Sequence, residues 1–184
     1  MTDIQRIILI SGKRKCGKDF ISEKLKQRLG DRCQIVRISE PIKSEWAKKM
    51  QLDLKELLSD GPYKEKYRKA MIDWSDEVRK QCYGYFCKTA MEKANSEIIV
   101  VSDVRRMNDI RYFHETYGDK VACMRLTCPD SIRIERGFVY TPGIDDIESE
   151  CGLDNYNKWD LVLENDNKLS SDHLINLIIE KFSL

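Results

Sequence analysis

The 184-residue sequence predicts an α/β fold: a five-stranded, mainly parallel sheet flanked by helices. Three observations predict it. Apolar, β-branched runs recur at Arg6–Ile10, Cys33–Ile38, Ile98–Val101, Lys120–Leu126 and Asp160–Leu163, with a helix-length gap after each of the first four. The runs are near-continuous rather than alternating, the pattern of strands buried on both faces of a parallel sheet. Helical segments between them carry stop signals, Gly30 after Leu29 and Gly118 after Tyr117.

Taken in order, the helices are expected at Lys18–Leu29, Ser39–Met50, Tyr63–Cys82, Gly84–Asn95, Arg106–Tyr117 and Ser170–Phe182. From Asp130 to Asn157 the pattern changes to a short helix-like piece, then Thr141-Pro142-Gly143 and an acidic run without apolar periodicity. That segment reads as a mobile flap. The length suits one domain over residues 1–184 with one core.

Composition excludes several function classes. Charged residues make up 34% of the chain, yet 32 Lys and Arg nearly cancel 31 Asp and Glu, so no global field draws the protein to nucleic acid or membrane. The longest apolar runs are strand-sized, far short of the roughly 20 residues that span a bilayer. The N-terminal apolar run is too short for a signal peptide, and Phe182-Ser183-Leu184 lacks the basic middle residue of a peroxisomal signal, so a cytoplasmic location is expected. Seven cysteines without metal-site spacing are expected to be reduced thiols, largely in the core.

The chemistry begins after the first strand, at Gly12-Lys13-Arg14-Lys15-Cys16-Gly17-Lys18-Asp19. This is a Gly-x4-Gly-Lys phosphate-binding loop, with Asp where Ser or Thr normally stands. The bare pattern arises by chance in about one chain of this length in twenty, and the strand before and helix after it make the match specific. Glycines let consecutive N–H groups turn toward an anion, and the next helix points its positive end there. Lys18 is placed to reach the β- and γ-phosphates of ATP, with Lys13, Arg14 and Lys15 adding charge. Asp19 is a hard oxygen donor, expected either to hold Mg²⁺ or to pair with a neighbouring cation, if it does not simply favour the helix N-terminus. Cys16 stands among cations at a helix start, conditions that lower a thiol pKa, but it reads first as a small tolerated residue and only second as an oxidation-sensitive thiol.

Ligands on open α/β sheets bind beyond the carboxyl ends of the strands. The strand ending at Val101 runs into Ser102-Asp103-Val104-Arg105-Arg106, an acid for Mg²⁺ or its water followed by two phosphate-clamping arginines. On the Tyr63–Cys82 helix, Lys64, Arg68 and Arg79 fall on one face. Arg133 and Arg136, three apart, are expected to swing onto the transferring phosphoryl group as part of a lid. The acids Asp145, Asp146, Glu148, Glu150 and Asp154 read as a solvated hinge or as partners of basic loops. Asn157-Lys158-Trp159-Asp160 spells a guanine-reading motif but precedes a strand where that motif follows one, and His114 and His173 lack catalytic partners.

These residues together resemble the animal-type phosphomevalonate kinases over nearly the full length. The resemblance rests on Ser11 to Phe20, Tyr63-Lys64 with Arg68, Val101-Ser102-Asp103 with Arg105-Arg106, Arg136-Gly137 through Thr141-Pro142-Gly143, and above all Asp145-Asp146 to Asn155. It implies a P-loop, nucleoside-monophosphate-kinase-like fold with an acceptor-binding region at about 40–95 and a lid at about 130–157. It further implies transfer of the ATP γ-phosphoryl group to (R)-5-phosphomevalonate, with Mg²⁺, by a monomer. By the same resemblance Lys43, Lys64, Arg68, Arg79, Arg105 and Arg106 serve the acceptor, Arg136 the lid, and Asn165 with Asp166 the adenine side. The alternative is a nucleoside or deoxynucleoside monophosphate kinase, and beyond it a nucleotide-gated binding protein.

Overall fold

The computed structural model describes residues 3–59 and 61–184. Five strands, β1 (Arg6–Ser11), β2 (Cys33–Val36), β3 (Ile98–Val104), β4 (Val121–Thr127) and β5 (Leu161–Glu164), form one sheet in the order β2-β3-β1-β4-β5. Every pairing is parallel, so the sheet is wholly rather than mainly parallel. The continuous apolar runs have their cause in this burial. Successive side chains of a strand point to opposite faces, so Ile8 and Ile10 enter one core layer while Ile7 and Leu9 enter the other, all 0% exposed.

Helix α1 (Lys18–Leu29) and the C-terminal helix α9 (Ser171–Phe182) cover the first layer through Ile21, Leu25, Leu174 and Ile178. On the second layer lie α5 (Tyr85–Met91) and α6 (Met107–Tyr117), which contribute Phe86 and Phe113. A smaller cluster of Trp46, Leu57 and Met71 ties together α2 (Ser39–Met50), α3 (Leu54–Leu58) and α4 (Pro62–Gln81) beside the sheet. The segment after β4 carries α7 (Asp130–Glu135) and α8 (Glu148–Cys151). Its Ile144 and Leu153 are buried, 8% and 2% exposed. Among the described residues no helix is long and apolar enough to cross a membrane.

Differences from the sequence expectation are local. Strand β3 continues through Ser102 and Asp103 to Val104, since its pairing with β1 resumes past an irregularity between Leu9 and Ser11. Helices α3 and α8 span only five and four residues, too short to show a 3.6-residue period. The topology places the site. The connection from β1 runs past β3 to β2 over one face of the sheet, whereas that from β3 runs past β1 to β4 over the other, so β1 and β3 flank the point where the winding reverses, and a crevice opens beyond their carboxyl ends.

Candidate active site

The crevice is a cleft of about 1370 Å³ with ten Lys and Arg side chains and five Asp and Glu in its wall. The near-neutral chain thus concentrates positive charge in one place. Its floor is the loop from Gly12 to Lys18. Gly12 is buried so closely that a Cβ there would lie 2.4 Å from the Leu126 carbonyl oxygen, and Gly17, at φ 97°, has the Asn165 amide where its Cβ would be. Glycine at 17 also satisfies a left-handed backbone that side chains resist. Lys18, 7% exposed, folds back so that Nζ donates to the Gly12 and Lys13 carbonyls at 2.6 and 3.0 Å. Burial lowers its pKa, an effect that nearby Arg105 reinforces and the Cys16, Glu150 and Asp19 side chains oppose.

A second set of contacts closes the loop from the β5 side. Asn165 Nδ2 and Arg136 Nη1 both donate to the Cys16 carbonyl, at 2.9 and 3.2 Å. Arg136 Nη2 also donates to the Asn165 carbonyl and to Asn167 Oδ1. One guanidinium therefore bridges the loop, the chain after α7 and the chain after β5.

The opposite wall is built from the end of β3 and from α4. Asp109, in the first turn of α6 and 1% exposed, accepts the backbone N–H groups of Arg105 and Arg106 at 3.1 and 3.0 Å, which fixes where both arginines leave the strand. Arg106 pairs with Asp76 at 2.6 Å, while Arg105 pairs with Glu150. Lys64 and Arg68 project from α4 into the cleft, and Lys43 reaches it from α2. The acids after α7 dock on the loop: Asp145 receives both contacts of Arg14 Nη1 at about 3 Å, and Asp154 pairs with Lys13 at 2.5 Å and Arg125 at 3.1 Å.

A loop of backbone donors with a buried lysine, facing a wall of arginines across one cleft, is an arrangement for bringing two phosphorylated molecules together. Comparison with known proteins agrees. The phosphomevalonate kinase family model matches residues 10–119. The chain is 58% identical over 187 residues to a phosphomevalonate kinase of Drosophila melanogaster, covering 98% of each protein. This chain belongs to the phosphomevalonate kinase family. Among solved structures it is similar to an APS kinase of Mycobacterium tuberculosis (TM-score 0.56, 12% identity, 99% of each chain) and a gluconokinase of Sinorhizobium meliloti (TM-score 0.54, 11% identity, 98% and 93%). At such identities these two support the fold alone, that of small P-loop kinases.

Family membership does not by itself say where each side chain sits, and several lie elsewhere than the sequence reading expects. Arg133 is not in the cleft wall: it is buried, donates to the Arg14 carbonyl at 2.8 Å, pairs with Asp130 and lies 3.9 Å over the Phe138 ring. Three residues along a six-residue helix did not keep it beside Arg136, because Arg136 already belongs to the turn that ends α7. Arg79 stands behind the wall, bonded to Ser75 and stacked on Phe86, its pKa lowered first by burial and then by Arg106. Asp103 turns both carboxylate oxygens to the N–H groups of Ile38 and Ser39, at 2.7 and 2.9 Å, and so anchors the start of α2. Asp19 is well exposed and lies 3.6 Å from Arg37. Cys16 is 1% exposed, which removes it from the solvent an oxidant would arrive in. Asp166 pairs with Lys168.

The sequence leaves Asp109 unassigned and does not match Asp76 or Glu150 to the site arginine each meets. Asp109 had a signal, an acid three residues after Arg106 at the start of a helix. Asp76 and Glu150 had none, since each meets its arginine only through the tertiary fold.

Proposed function

We infer that this chain transfers the γ-phosphoryl group of ATP to the phosphate of (R)-5-phosphomevalonate, giving 5-diphosphomevalonate and ADP, a step toward isoprenoid and sterol precursors. The observation that carries the reading is the facing of the Gly12–Lys18 loop and the Arg68, Arg105 and Arg106 wall across one cleft, in a chain of this family. The loop N–H groups and Lys18 take the donor phosphates, while Asn165 and Arg136 hold the adenine side of the loop. Lys43, Lys64, Arg68, Arg105 and Arg106 receive the acceptor, with Arg79 behind them sharing Asp76 with Arg106.

The acceptor's terminal phosphate is mostly dianionic near pH 7, its second pKa being about 6, so no general base is required. Catalysis reduces to bringing two anions into line and neutralising them. Lys13, Lys18, Arg105, Arg106 and Arg136 supply that field, and segment 130–157 acts as a lid that excludes water.

The donor set fits a Mg²⁺ that would arrive with the phosphates of ATP. Among the described residues there is no group of three or more His, Cys, Asp or Glu able to cage a metal. Magnesium characteristically needs only one or two carboxylates besides phosphate oxygens and water. The Asp19 carboxylate, exposed at the cleft, fits that part better than Asp103, whose oxygens already hold α2. When bound, the ion would neutralise phosphate charge beside Lys18.

The test is an ADP-release assay with MgATP and, in turn, 5-phosphomevalonate, mevalonate, CMP, UMP and dTMP. Turnover with 5-phosphomevalonate alone is expected. Turnover with a nucleotide alone would overturn the acceptor assignment.

A further inference from the structure

Glu150 is the one acid of the run between Asp145 and Asp154 that enters the cleft wall, and it is 8% exposed. Its Oε1 pairs with Arg105 Nη1 and lies 3.6 Å from Arg68 Nη2. The two arginines arrive from unrelated places, one from the end of β3 and one from α4. The main chain of the same residue faces the other substrate, for its carbonyl accepts from Lys13 Nζ at 3.1 Å. Two neighbours hold this placement: Arg105 Nη1 also donates to the Ser149 carbonyl at 3.4 Å, and a Cβ at Gly152 would lie 3.3 Å from the Arg105 carbonyl. Helix α8 is therefore fitted against Arg105.

We propose that Glu150 is a positioning residue for the acceptor phosphate: its carboxylate holds Arg105 and Arg68 together before the acceptor arrives. Glu65 holds Arg68 from its own helix at 3.0 Å, but without the anion shared with Arg105 the two guanidinium groups repel each other and separate. Ordering both on binding would weaken affinity about tenfold. The effect is mainly one-sided: within contact distance the Glu150 side chain meets the two acceptor-wall arginines, its charge reaches Lys18 only from further off, and its contact to Lys13 uses the main chain, which substitution retains. The inference rests on the reading that Arg105 and Arg68 receive the acceptor's phosphate.

The test measures kcat and both KM values for wild type, Glu150→Gln and Glu150→Ala, with melting temperatures, and for Arg68→Met with and without Glu150→Gln. KM for 5-phosphomevalonate should rise about tenfold in both Glu150 variants, with KM for ATP within about twofold. Glu150→Gln and Arg68→Met should be less than additive, because part of what the carboxylate does is hold that arginine beside Arg105. A fall in the acceptor KM would mean that the acid competes with phosphate. That result, an unchanged KM, full additivity, or a joint rise of both KM values with a lowered melting temperature each overturns the proposal. The near-isosteric Gln carries the test if the Ala variant does not fold. If wild type instead uses a nucleotide acceptor, the acceptor assignment fails, and the same KM split measured with that nucleotide decides the role of Glu150.

Discussion

Replacing Lys18 by Met separates what the ammonium does for the loop from what it does for turnover. In the free protein Nζ makes two bonds to loop carbonyls, at 2.6 and 3.0 Å. Hydrogen bonds from a charged group contribute about 1.5–3 kcal/mol each, so losing both costs about 3–6 kcal/mol. Against this stands the ammonium's desolvation, the leading cause of its lowered pKa, and a buried charge costs several kcal/mol. The two effects are similar in size and opposite in sign. A net stability change of about 1–2 kcal/mol remains, a melting shift of about 2–8 °C for a chain of this size. No comparable cancellation protects the reaction, where the ammonium meets phosphate charge in a cleft already rich in cations. A loss of at least about a hundredfold in kcat is expected, about 2.7 kcal/mol of transition-state stabilisation. ADP release at saturating MgATP and acceptor, beside a thermal melt of the same sample, measures both. Turnover near wild type would refute the catalytic reasoning, and a variant unfolded at the assay temperature would refute the cancellation.

Three further outcomes follow from the loop. Because burial lowers the Lys18 pKa, kcat/KM for ATP should fall on the alkaline side at a pH below the ordinary lysine value of about 10.4, whereas kcat, measured with phosphates against the ammonium, should fall at higher pH. Between the lowered pKa and the ordinary one the unfolded chain binds more protons than the folded one. Stability from this group therefore rises with pH across that window, and urea midpoints of Lys18→Met should lack the rise. Gly12→Ala forces a methyl to 2.4 Å from the Leu126 carbonyl, which β1 and β5 hold on either side of β4. A cost of about 1–3 kcal/mol, read as a melting drop of about 2–12 °C, is expected. Gly118→Ala, with nothing within 4 Å but a backbone at φ 55° and ψ −127° that side chains rarely adopt, should lose about 1–3 kcal/mol.

The donor side of the site was legible because it is contiguous: eight residues in a row set the loop, its turn and the helix behind it. The acceptor wall was legible in part. Arg105 and Arg106 follow a strand directly, so their place is set by the strand's end. Arg133 and Arg136 look equivalent in sequence but are not, since a helix that stops at Glu135 lets the next residue leave its face. Arg133 then braces the back of the loop while Arg136 bridges it to Asn165. The acidic run was read as a hinge or as partners of basic loops, and the second alternative describes Asp145 and Asp154.

By itself the sequence determined the α/β class, five strands, most helix bounds and the presence of a phosphate-binding loop. Each of these depends on local periodicity, on glycine where backbone must turn, or on neighbours in the chain. Only the tertiary structure decided that the sheet is wholly parallel in the order β2-β3-β1-β4-β5. It also decided that Asp103 anchors α2 and that Glu150 lies between Arg105 and Arg68. The physical reason is one of range. A carboxylate has no directional signature along the chain, and it takes whichever cation or N–H group the fold brings within reach, 45 residues away for Glu150 and Arg105.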